Sequence, residues 1–157
     1  MTLVYSGTIS LGDIADEFGN ARSNVSLRSR SADAGKGTPD AMSEFYGYTA
    51  PKASFQMGTQ VNGPNQTTAS GNLVTYKPNV VITLTVFGGT NTGAAAYGTF
   101  WINGLTTMRT PASGNVPQYN SYTTQYTVAT AASRSAALTI YPVSGVSSSQ
   151  YASVSAS

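Results

Sequence analysis

Val80-Val81-Ile82-Thr83-Leu84-Thr85-Val86-Phe87 decides the fold class of this chain. Val80, Ile82, Leu84 and Val86 fall on one side of an extended backbone, and Val81, Thr83, Thr85 and Phe87 on the other. That is the two-residue period of a half-buried strand. Thr83 and Thr85 interrupt the run as a membrane span. The same period recurs further along. Tyr122, Thr124, Tyr126 and Val128 alternate with Thr123, Gln125, Thr127 and Ala129, and Ala136, Leu138 and Ile140 mark a third strand. Asn103-Gly104, flanked by strand-like residues 96–102 and 105–110, is a hairpin signal. A two-residue loop there would pair Ile102 with Leu105 and Trp101 with Thr106.

Further strands fit residues 54–60, 72–76 and 150–155. Turn signals separate them at Asn62-Gly63-Pro64, Pro78-Asn79, Gly88-Gly89, Ser113-Gly114-Asn115 and Ser144-Gly145. About seven or eight short strands without helical period indicate a mainly β protein, an immunoglobulin-like or jelly-roll β-sandwich. The Cys-Trp-Cys signature of antibody domains is absent, so only the architecture carries over. Residues 88–96 and 110–121 would form the longest loops, where such scaffolds carry binding.

Charge divides the chain. All six acids (Asp13, Asp16, Glu17, Asp33, Asp40 and Glu44) precede residue 45, together with Arg22, Arg28, Arg30 and Lys36; Lys52 follows. Residues 53–157 contain only Lys77, Arg109 and Arg134. So abrupt a shift places a domain boundary at Ala50-Pro51-Lys52, where proline favours an extended connector. Residues 1–52 are expected to form an N-terminal module and residues 53–157 the sandwich.

Within the module, Ser10 is a candidate N-cap with Asp13 closing a capping box, and Ile9 and Ile14 have the spacing of a hydrophobic staple. Leu11, Ile14 and Phe18 share one helical face, and Gly19 offers the left-handed position after the helix. A second short helix fits residues 38–47, with Thr38 as cap, Pro39 at the first position and Gly47 at the end. Residues 23–37 between them read as a polar, turn-rich hook anchored by Val25 and Leu27. Helices of about two turns depend on packing for their stability. Leu11, Ile14, Phe18, Phe45 and Tyr46 therefore need a surface to cover, and are the candidate anchoring residues.

Ser6-Gly7-Thr8-Ile9-Ser10-Leu11-Gly12-Asp13-Ile14, Glu17-Phe18-Gly19, Val25-Ser26-Leu27 and Met42-Ser43-Glu44-Phe45-Tyr46-Gly47 occur in that order. Together they resemble an N-terminal module of tailed-bacteriophage virion structural proteins, found in small head, neck or tail proteins ahead of variable C-terminal regions. The family's last motif usually opens with an Ile-Ser pair, where this chain has Ala41-Met42. The resemblance covers about the first third of the chain. It implies a location in the virion and says nothing about residues 53–157.

Composition argues against most chemistry. The chain has no histidine and no cysteine, which removes Ser-His-Asp and Cys-His catalysis and the usual zinc ligands. Asp13 and Glu17, four apart on a short helix, read as a solvated face rather than a glycosidase pair. Calcium would need clustered acids, and the sandwich region has none. Gly35-Lys36-Gly37-Thr38 lacks the earlier glycine of a phosphate loop, since Arg30 stands there. A net charge of +2 is too small to imply nucleic acid or an acidic membrane as partner. Arg22, Arg28 and Arg30 read as a solvated loop. Leu3-Val4-Tyr5 is too short for the apolar core of a signal peptide.

The ten tyrosines, with many Asn, Gln, Ser and Thr, suit either cross-strand packing or a sugar- or protein-binding face. Few charges also suit a protein held among copies of itself. The expectation is a non-enzymatic virion protein without a cofactor, a neck or tail appendage or fibre component, assembled in the bacterial host cytoplasm. Its module would bind other virion proteins and its sandwich would face outward. The alternatives are a capsid decoration protein, whose sandwich clamps coat subunits, and a receptor-binding protein that recognises host glycan.

Overall fold

In the computed structural model, the residues described are 3–19, 22–38, 40–90, 96–143 and 149–157. Two short helices, α1 (Leu11–Glu17) and α2 (Leu27–Asp33), and a 3-10 turn at Met42–Phe45 precede nine strands. The strands are β1 (Ala53–Gln56), β2 (Gln60–Asn62), β3 (Thr67–Thr75), β4 (Val80–Phe87) and β5 (Ala96–Ile102). They continue with β6 (Thr106–Thr110), β7 (Ser121–Val128), β8 (Ala132–Pro142) and β9 (Tyr151–Ala156). One sheet has the order β1-β3-β8-β5-β6 and the other β2-β9-β4-β7. Every strand pair is antiparallel. The fold is a mainly β sandwich preceded by short helices, as the two periodicities imply.

β4 follows its sequence pattern residue by residue. Val80, Ile82, Leu84 and Val86 are buried, while the alternate side chains are half-buried on the outer face. They meet Phe100, Ile102, Leu138 and Ile140 of the other sheet in one apolar core. The sheets approach closely at Gly98, where a Cβ would stand 2.7 Å from Val86 Cγ2 and 3.0 Å from Ala152 Cβ. A residue without a side chain is what that spacing admits.

The Asn103-Gly104 hairpin forms in a different register from the one the dipeptide implies. Ile102 pairs with Thr106 and Trp101 with Thr107, so the loop has three residues. A two-residue type I′ turn needs both central residues at positive φ. Gly104 has φ +71°, and Asn103 is not among the positive-φ residues. Side-chain burial favours the observed register. It places Met108 in the core and Arg109 outside, whereas the expected pairing would turn Arg109 inward.

The N-terminal helices also differ in part from expectation. α1 has the expected capping box: the Asp13 amide donates to Ser10 Oγ (3.1 Å), and the Ser10 amide donates to Asp13 Oδ2 (2.8 Å). The second helix, however, lies in the segment read as a hook, with Ser26 as its N-cap. Its inward position carries Ser31, fully buried, whose hydroxyl donates to Glu44 Oε2 (3.0 Å). A serine there leaves no apolar period to read. Among the described residues of 38–47 only the 3-10 turn forms; Ala41 before it is still extended and supplies no side-chain cap. Beyond the turn, the backbone is drawn into pairing with the chain start, through Leu3 N–H to Tyr48 O (3.0 Å) and Gly47 N–H to Val4 O (3.0 Å). The expected Pro39 position, most of the 88–96 loop and the Ser144-Gly145 turn lie outside the described residues.

Candidate functional site

The five candidate anchoring residues have different fates. Ile14, Phe18 and Phe45 are buried together with Leu3, Ile9 and Ala50 in a second apolar core that shares no residue with the sandwich core. Leu11 is half-buried against that core, and Tyr46 is exposed. Three of the five therefore cover one another within the chain. Sequence reasoning missed Tyr48, which organises this core: it stacks on Phe18 (ring centroids 5.5 Å apart) and meets Phe45 edge-on (5.8 Å). Burial, with the Glu17 and Asp33 carboxylates nearby, raises the Tyr48 hydroxyl above the ordinary tyrosine range.

The module's outer surface is aromatic elsewhere. Val4, Tyr5 and Tyr46 are exposed, Tyr5 most of all at 82%. The Tyr5 ring lies over Gly47, and the Tyr46 hydroxyl donates to Gly7 O. The two loops bearing these tyrosines are thus fixed to each other, and the backbone bonds between residues 3–4 and 47–48 hold them from below. Large apolar side chains displayed on a braced support are what a docking surface requires.

A buried ion pair ties the module to the sandwich. Glu17, at the end of α1, is fully buried and accepts from Lys77 Nζ (2.8 Å) and from the Ala50 amide (3.0 Å). Glu17 is therefore not part of the solvated face that its spacing from Asp13 suggests; Asp13 is. Beside this junction, Phe18, Arg30, Asp33, Pro51 and Tyr76 line a cleft of about 340 Å³. Arg30 pairs with Asp33 (2.8 Å), and its guanidinium lies 5.6 Å from the centre of the Phe18 ring. Arg22 pairs with Asp16. Two of the three arginines read as a solvated loop are thus matched by acids.

On the sandwich, the outer face of the five-stranded sheet carries Trp101, 41% exposed, and Tyr97 stacked on Tyr141 (4.6 Å). Arg109 lies over Tyr97 (4.1 Å) and donates to Gly114 O (2.8 Å), which fixes the loop after β6. Tyr97–Tyr141 is a cross-strand pair; Tyr76 and Tyr122 are exposed instead.

Among the described residues there is no group of three or more carboxylates able to hold a metal ion, and no helix long and apolar enough to cross a membrane. No family model matches the chain, and no curated protein matches it.

Proposed function

We propose that this protein is a non-enzymatic structural component of a tailed-bacteriophage virion, part of a neck or tail appendage or fibre. Residues 1–52 attach it to other virion proteins, and the sandwich of residues 53–157 faces outward. The observation that carries this reading is the braced apolar surface of Val4, Tyr5 and Tyr46; Tyr46 belongs to a motif that resembles the phage module, and Val4 and Tyr5 directly precede another. Docking belongs to this exposed set and not to Phe18 or Phe45, which are needed for the module's own core.

The test is to build particles carrying Tyr5→Ser and Tyr46→Ser together and to count copies of the protein per particle by quantitative mass spectrometry. Occupancy should fall by at least about tenfold, as expected when interface aromatics are removed, while the purified variant stays folded, because neither tyrosine belongs to either core. Full occupancy would refute attachment through this surface and favour the capsid-decoration reading. A second reading has one specific observation behind it. Trp101, beside the threonines of the outer sheet face, is the side-chain type that stacks on sugar rings, and a host-glycan role would place recognition there.

A further inference from the structure

Among the described residues the sandwich has four edge strands, and three of them resist pairing with another chain. β2 has three residues. β1 has four and follows Pro51-Lys52. β6 has five, carries Arg109 and runs into Pro111. Short length, charge and proline are the devices by which natural sheets blunt their edges. β7 uses none of them. Its eight residues, Ser121-Tyr122-Thr123-Thr124-Gln125-Tyr126-Thr127-Val128, contain no charge and no proline, and among the described residues its only strand neighbour is β4. Among the described residues, the backbone bonds of the loop leading into it run to Gly88, Gly89 and Ala96 and within the loop, not to the open edge of β7. Ser121, Thr123, Gln125 and Thr127 are exposed on the outer face.

We propose that the open edge of β7 pairs with β7 of a second copy of this chain, antiparallel across a two-fold axis, joining two four-stranded sheets into one. The choice of occupant follows from charge. In a two-fold pairing a strand lies against its own image, so any charge near its centre would face a like charge. β7 carries no such charge, and it offers a charged foreign strand no counter-charge. Its Thr, Tyr and Gln side chains are types that pair well with one another across strands. The pairing does not depend on the virion reading, and its test uses free protein.

Sedimentation of the full chain over a rising concentration series should show a mass approaching twice the 16.2 kDa of one chain. The double variants Thr123→Lys/Gln125→Lys and Thr123→Glu/Gln125→Glu should each self-associate at least about tenfold more weakly while keeping the strand signal of the folded chain, because each sets like charges across the seam. An equimolar mixture of the two should regain the dimer. Hydrogen exchange on the unaltered chain is an independent measurement that needs no substitution: amides of residues 121–128 should gain protection with concentration, and those of β2 should not. A chain that remains monomeric overturns the proposal. So does a dimer that both variants retain, a mixture that stays monomeric, or a β7 whose exchange ignores concentration.

Discussion

Glu17 and Lys77 stand 60 positions apart in the chain and form one buried ion pair. Removing one partner leaves the other charge buried without its counter-charge, which typically costs about 3–5 kcal/mol, whereas replacing both with apolar groups of similar size is often close to neutral. Glu17→Leu or Lys77→Met alone should therefore lower stability by about that amount, and the double variant by much less, in paired denaturant melts. Additive losses would show that the two side chains act separately. Asp13 behaves differently because it lies half-buried at the surface. Hydrogen bonds from the Ser10 hydroxyl and amide hold its carboxyl below the usual aspartate range. Its contribution to α1 is therefore present at neutral pH and is lost as pH falls through that depressed pKa. A carboxyl titration followed by NMR should show this midpoint, and Ser10→Ala should raise it; a midpoint unmoved by that change would remove the capping box from the account. At this scale the sequence was legible where partners are near: Ser10, Asp13 and Gly19 declare a helix through local spacing. Glu17, Ser31 and Tyr48 were not, because their partners are set by tertiary contact.

Among the elements, β4 was legible to its ends because both faces carry a clear pattern and buried residues alternate without a break. Leu84 is fully buried and Thr85 is half-buried on the outer face. Leu84→Ala should cost about 2–5 kcal/mol and Thr85→Ala roughly half a kcal/mol. Equal losses in equilibrium melts would mean that the faces are exchanged. β6 shows where local signals mislead. Asn-Gly favours a two-residue turn, but the loop is settled by which side of the strand can be buried, and Met108 decides that against Arg109. α2 was hidden for the opposite reason. Its only buried residue is Ser31, flanked by half-buried Leu27 and the C-cap Ala34, so its apolar stripe is too thin to register.

At the scale of the molecule, two apolar cores lie side by side, joined at Glu17, Ala50 and Lys77. The abrupt fall in charge after Lys52 lies between Ala50, the last residue of the second apolar core, and the start of β1, and the strand period made the sandwich legible. The candidate surface was less so. The sequence pointed to apolar residues at helical spacing, and most of those turn inward; Tyr5, outside any helix, gives no periodic signal and is the most exposed large hydrophobic side chain among the described residues. The central claim is that residues 1–52 hold the protein on a virion while the sandwich projects. An electron cryomicroscopy reconstruction of purified particles tests it most directly. The account predicts density for this chain in which Tyr5 and Tyr46 contact a neighbouring virion protein and β4 to β9 stand clear of the particle surface. Particles that lack the chain, or a sandwich wedged between coat subunits with Tyr5 facing solvent, would contradict it.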